Sequence, residues 1–160
     1  MKFTRRFLVV ILAILAAGIF QGCDTLQSEN ELRRQAMNEA IRTEPAGDYF
    51  IGRRFYKVDY KFWGWVRQPG QPWKDAKLVM FNEQKMLAPD RQQGHLGTDN
   101  DYEYILKGYY SGEKVYEPAS DTIYPEFVLT GYEVRSTNPP LIFSEKRSID
   151  PQVRLLSPPM

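Results

Sequence analysis

Asp99, Asp101 and Glu103 recur at every second position near the middle of the chain. In an extended strand successive side chains alternate, so all three share one face. Hard oxygen donors of this kind suit Ca²⁺, which makes them candidate metal ligands, although a Ca²⁺ cage takes six or more oxygens and the EF-hand glycine is missing here. The competing reading is a turn at Asp99-Asn100 leading into a strand with a solvated acidic face. Trp63 and Trp65 are also two apart. Exposed, the pair forms an aromatic platform for a sugar ring or a peptide, with Arg53, Arg54, Arg67 and Lys74 near in sequence to donate hydrogen bonds; buried, it is core. The single histidine, His95, sits in a polar loop between Gly94 and Gly97. It has no second His or Cys with which to hold zinc, and no nucleophile motif accompanies it. Gly94-His95-Leu96-Gly97 lacks the Lys and the strand–helix context of a phosphate loop. No catalytic set and no cofactor site emerges, and an enzyme ranks last among the functions considered.

The sole cysteine, Cys23, follows a basic start (Lys2, Arg5, Arg6) and a continuous apolar run from Phe7 to Phe20. Basic residues, a short apolar centre and a small residue before the cut form the pattern of a secretory signal peptide. The run is shorter than the roughly 20 residues that span a bilayer; an uncleaved signal anchor is the rival reading. With Gly22-Cys23 at its end, the segment resembles the signal of bacterial lipoproteins, with Phe20 where Leu is usual and Gln21 where a small residue is usual. The resemblance covers the first 24 residues. It implies removal of residues 1–22, lipidation of Cys23, and a protein held on the periplasmic face of a bacterial membrane. Asp24 resembles the inner-membrane retention signal of enterobacterial lipoproteins, which favours the inner membrane over the outer. Two or more acyl chains anchor stably where one holds only marginally.

The chain has 160 residues, with 21 Lys+Arg against 20 Asp+Glu, a length that suits one domain. Loss of Lys2, Arg5 and Arg6 with the signal leaves a slightly acidic remainder. A general nucleic-acid binder carries a basic surplus instead, so no nucleic-acid partner is expected. With one Cys, no disulfide forms within the chain.

These residues must be positioned by elements that change period along the chain. Ser28-Glu29-Asn30-Glu31 has the form of a capping box, and Leu32, Ala36, Met37, Ala40 and Ile41 recur at helical spacing. A short amphipathic helix is predicted from about Glu29 to Thr43, ended by Pro45 and Gly47. It is either a spacer or a surface that docks on the domain or on a partner. After Asp48 the period becomes 2. Strands are predicted over Arg53–Val66, bent at Gly64, and over Lys77–Asn82, Asp101–Tyr110, Glu126–Arg135 and Leu141–Phe143. Ser111-Gly112-Glu113-Lys114 is read as a tight turn. The fold class expected is mainly β: a small antiparallel barrel of the OB or SH3-like kind, preceded by a signal peptide and the short helix. The organisation follows as signal peptide 1–22, lipid-anchored tether 23–47, barrel 48–145 and Pro-rich tail 146–160, extended or disordered. The function expected is that of an envelope interaction or scaffold domain. The alternative is a module binding a small ligand or glycan on the face carrying Trp63 and Trp65.

Overall fold

The computed structural model describes residues 21–58, 61–153 and 158–160, without the side chains of residues 21–28, 30 and 61. The basic and apolar segments of the expected signal peptide lie outside the described residues, as does Tyr60. Cys23 and Asp24 fall within the backbone of a helix, α1 (Gln21–Arg42), which contains most of the span predicted from Glu29. Along it Leu32 is exposed, Met37 half-buried and Ile41 buried. Among the described residues no helix is long and apolar enough to cross a membrane. The chain divides into two compact units, Met1–Met37 and Asn38–Met160; the second holds the barrel.

Five strands form that barrel: β1 (Phe50–Lys57), β2 (Lys61–Arg67), β3 (Lys77–Asn82), β4 (Glu103–Glu117) and β5 (Thr122–Ser136). They close in the order β1-β2-β3-β5-β4. A one-turn helix, α2 (Pro89–Gln92), lies between β3 and β4. The fold is therefore mainly β, as the period-2 patterning implies. One pairing departs from an all-antiparallel barrel: β3 and β5 run parallel from Met80↔Glu126 to Asn82↔Val128. The long connection through α2 allows this, since parallel neighbours need a crossover where antiparallel ones need only a hairpin.

The long strand expected over Arg53–Val66 is two strands. The chain turns after Lys57 and pairs back on itself, Phe55 facing Trp63 and Arg54 facing Gly64. Gly64 is thus no bend within one strand. A Cβ there would sit 2.3 Å from the Arg53 carbonyl oxygen and 2.8 Å from Phe81 Cε2. Only a residue without a side chain lets β1 and the core ring approach so closely.

Ser111-Gly112-Glu113 is likewise not a hairpin turn. It is an irregularity between Tyr110 and Lys114 inside one 15-residue strand, with Gly112 at φ +87°. The reversal falls later, at Glu117–Thr122. There the Glu117 carboxylate accepts hydrogen bonds from the Ala119 and Ser120 backbone N–H groups and from the Ser120 hydroxyl. A bulge and a turn draw on the same small and polar residues, so composition does not separate them.

Alternation sends one set of side chains inward and one outward. Val66, Val79, Phe81, Tyr104, Leu106, Phe127 and Leu129 form the barrel core. Ile51, Phe55 and Trp63 lie on the opposite face and are nonetheless buried. Their cover includes the C-terminal segment, where Phe143 packs on Phe55 with ring centroids 5.4 Å apart. The final strand expected at Leu141–Phe143 is absent, and the tail is not free of the barrel. The Val58 N–H donates to the Pro151 carbonyl and the Met160 N–H to the Ile142 carbonyl, while a 3-10 turn forms at Lys146–Ile149. The apolar pair Ile142-Phe143 holds a proline-rich segment in place by burial.

Gly64→Val should destabilise the protein by about 3 kcal/mol or prevent folding, since the new methyl groups meet backbone and a core ring. Gly131→Ala is the control: its Cβ would meet only Lys107 side-chain atoms at 3.6 Å and beyond. Urea unfolding should find that variant neutral or slightly stabilised.

Candidate functional site

The three carboxylates singled out by spacing are brought together with two arginines adjacent in sequence. Arg53 and Arg54 point to opposite faces of β1. On the outer face, Arg53 is fully buried. Its guanidinium pairs with Asp101 at 3.1 Å and Glu103 at 3.0 Å, donates to the Pro140 carbonyl at 2.7 Å and lies 5.0 Å from the Trp73 ring centroid. On the inner face, Arg54 meets Glu83 at 2.6 Å, Asp90 at 2.7 Å and Asp99 at 3.2 Å, and lies 4.9 Å from the Phe62 ring centroid. Tyr104 donates its hydroxyl to Asp99 at 2.8 Å. Asp99, Asp101 and Glu103 are thus divided between two ion-pair networks instead of converging on one point. Among the described residues no group of three or more His, Cys, Asp or Glu is placed to hold a metal ion.

Burial acts on Asp101 and Asp99 in one direction. It pushes the Asp101 carboxyl up to about 6, against the pull of Arg53. It raises Asp99 as well, against Arg54 and the Tyr104 hydroxyl. Glu44 shows the opposite balance. Burial opposes its charge, but Arg67, the Gly70 N–H and Arg135 outweigh burial and bring its carboxyl down to about 2. Arg67 grips it bidentately, Nη1 and Nη2 at 2.6 and 2.7 Å, and Arg135 donates to the same carboxylate at 2.5 Å. Arg67 lies 4.8 Å from the Trp73 ring centroid, so one buried indole serves both Arg53 and Arg67.

Trp63 and Trp65 share the outer face of β2. Trp63 is 3% exposed and stacks on Phe55 at 5.2 Å, so it offers no open ring face. Trp65 is half-buried and pairs across the ladder with Arg53. The indole N–H groups of Trp63, Trp65 and Trp73 donate no hydrogen bond among the described residues; packing and, for Trp73, the two guanidinium groups fix these rings. His95 is exposed, and its backbone N–H donates to the Asp90 carbonyl. Lys57 is fully buried on the outer face, its ammonium donating to the Asp150 carbonyl at 2.6 Å. Burial brings it down to about 8, with Asp150 acting against that shift.

Two surface features remain, and spacing alone did not find either. The first is the β4–β5 ribbon. The ladder of β1 on β4 begins at Phe50↔Leu106 and that of β3 on β5 spans Glu126–Val128, so beyond those points β4 and β5 pair only with each other. Near the tip Tyr116 and Ile123 face each other directly, 56% and 60% exposed. The second is a cleft of about 490 Å³ beside the ribbon, lined by Met80, Asn82, Leu87, Arg91, Val115 and Glu126 among others. At the barrel end, Ala88, Pro89, Phe81 and Leu106 line an apolar void of about 10 Å³. That is room for about one water at most. Tyr116 and Ile123 lie outside the strands predicted from spacing, and only the reversal at Glu117–Thr122 puts them opposite each other.

No family model, no curated protein and no solved structure matches this chain.

Glu44 also ties acid stability to these contacts. Its folded carboxyl titrates lower than the unfolded one, so its contribution is complete above pH 4.5 and is lost as pH falls toward 2. Glu44→Gln should cost about 2 kcal/mol at pH 7. Denaturant midpoints of wild type and variant should converge as pH drops from 4.5 toward 2. An undiminished difference at the acid end would contradict the assignment.

Proposed function

We propose that this chain is a membrane-anchored envelope lipoprotein whose barrel works as an interaction or scaffold domain. On this reading residues 1–22 are a signal peptide, Cys23 carries the lipid, and residues 23–47, with their amphipathic helix, tether the barrel on the periplasmic side. Asp24 favours the inner membrane. The barrel is of OB-like kind: five strands, a Greek-key order and a short helix between β3 and β4 favour it over an SH3-like barrel.

The observation that carries the interaction reading is the apolar pair Tyr116–Ile123 near the end of a ribbon that leaves the barrel. Buried charges and aromatics are committed to internal partners, whereas this pair faces solvent where a second protein can cover it. Tyrosine adds a polar hydroxyl to its apolar ring and is enriched in interfaces for that reason. The open ribbon edges carry Lys114, Glu113 and Pro125, residues that discourage unspecific strand addition. Recognition therefore runs through side chains on the ribbon face. A partner protein of the envelope is the expected occupant.

The alternative is a binding module for a small ligand or glycan. The cleft of about 490 Å³ favours it, being within the usual range for small-molecule sites and mixing apolar walls with a few polar groups.

The test crosslinks intact envelopes and recovers the membrane-anchored protein. Wild type should give discrete crosslinked species, which Tyr116→Ser combined with Ile123→Ser should reduce several-fold without changing the melting temperature. Cys23→Ser should release the protein from membranes or block its processing. Asp24→Ser should move it toward the outer membrane. Crosslinks that survive the double substitution unchanged would remove the ribbon from the interaction, and a wild type that itself retains residues 1–22, with the Cys23→Ser protein bound to membranes in the same way, would replace the lipid anchor with a signal anchor.

A further inference from the structure

The cleft beside the ribbon has an uneven charge balance, and that balance selects among ligands. This inference rests on the ligand-binding alternative above and names what such a site would take. Met80, Leu87 and Val115 supply its apolar wall. Leu87 is 42% exposed, so this wall is in reach of a bound molecule. Three charged side chains line the cleft: Glu83, Arg91 and Glu126. Glu83 is buried and doubly paired, with Arg54 at 2.6 Å and Arg91 at 3.1 Å. Arg91 is held by that pair and by the Phe62 ring, whose centroid lies 4.3 Å from its guanidinium carbon. Nearby Lys85 is turned to Tyr109, donating to its hydroxyl at 3.0 Å and lying 5.2 Å from its ring centroid.

Glu126 differs from both of the other charges. Its Oε1 accepts from the neutral Asn82 amide at 2.9 Å, and no cation pairs with it among the described residues. It is half-buried, and β3 fixes its place because Met80 and Glu126 are ladder partners. A carboxylate oriented by one neutral amide retains spare acceptor capacity. It stands beside an apolar wall that weakens screening by water. We propose that this cleft binds a small organic ammonium cation with a short apolar body, the ammonium on Glu126 and the body against Met80, Leu87 and Val115. The bond on offer is then an ammonium–carboxylate pair with both partners charged, which a neutral hydroxyl cannot match.

Three water-soluble probes of matched length separate charge from shape: 5-aminopentan-1-ol, 1,5-pentanediol and 5-hydroxypentanoate. Each is titrated into the ¹⁵N-labelled full-length protein at constant ionic strength while backbone shifts at Asn82, Gln84, Val115 and Glu126 are followed. The aminoalcohol should give saturable shifts at these positions, the diol weaker ones and the carboxylate none. Glu126→Gln keeps an acceptor for Asn82 and should weaken the aminoalcohol at least about tenfold while leaving the diol unchanged. Leu87→Gln should weaken both. Equal binding of aminoalcohol and diol, or of the aminoalcohol to wild type and Glu126→Gln, would overturn the charge selection while leaving a ligand cleft in place. No saturable shift with any probe would overturn both the cation site and the ligand-binding alternative. Unchanged binding to Leu87→Gln would move the site away from this cleft.

Discussion

Adjacent arginines on one strand cannot face the same way, and that constraint organises this domain. Arg53 points out of the barrel and Arg54 points in. A guanidinium removed from water must be surrounded by anions and acceptors, or the desolvation cost is prohibitive. The fold meets that demand twice, at the two residues of β1 that Gly64 approaches and on both faces of the same strand. Inside, Glu83, Asp90 and Asp99 come from the crossover between β3 and β4 and bring α2 over the barrel end. Outside, Asp101, Glu103 and the Pro140 carbonyl bring the start of β4 and the C-terminal segment onto β1. A slip of β1 by one residue would exchange the two arginines and unpair both sets.

Such pairs are weak evidence for net stability. Replacing a buried network by packed apolar side chains is often neutral or favourable, whereas removing one partner is costly. What these networks supply is selectivity for one register and one placement of the long connections. The apolar terms come from the barrel core around Phe81 and Phe127 and from the outer layer of Phe55, Trp63 and Phe143. The two layers leave the ribbon and its neighbouring cleft among the places where apolar and charged groups meet solvent. Function is accordingly sought there and not in the barrel interior.

The class of fold was legible in the sequence because period-2 alternation after Asp48 is a local signal. What could not be read was how strands meet. Arg53–Val66 looks continuous because alternation continues across the turn after Lys57, and nothing in the pattern marks a reversal. The Asp99, Asp101 and Glu103 spacing was visible, but its meaning depended on Arg53 and Arg54, about fifty residues earlier. A carboxylate triplet reads as a metal site until its counter-ions are placed, and placing them needs the ladder between β1 and β4. Trp63 and Trp65 posed the same difficulty: the outer face of a barrel strand is normally wet, and only the return of Ile142-Phe143 makes it a second core. Glu126 gave no signal at all, since its lack of a cationic partner is a property of the folded neighbourhood.

The central claim is that Arg53 and Arg54 each hold a different connection on β1. Hydrogen exchange followed by mass spectrometry on the full-length protein tests it, using Arg53→Lys and Arg54→Lys, which retain charge and lose the forked geometry. The account predicts that Arg54→Lys raises exchange in residues 83–100 with the C-terminal segment unchanged, and that Arg53→Lys raises exchange in residues 138–153 with the α2 region unchanged. Identical exchange patterns in the two variants, whether spread over the whole barrel or absent, would contradict it.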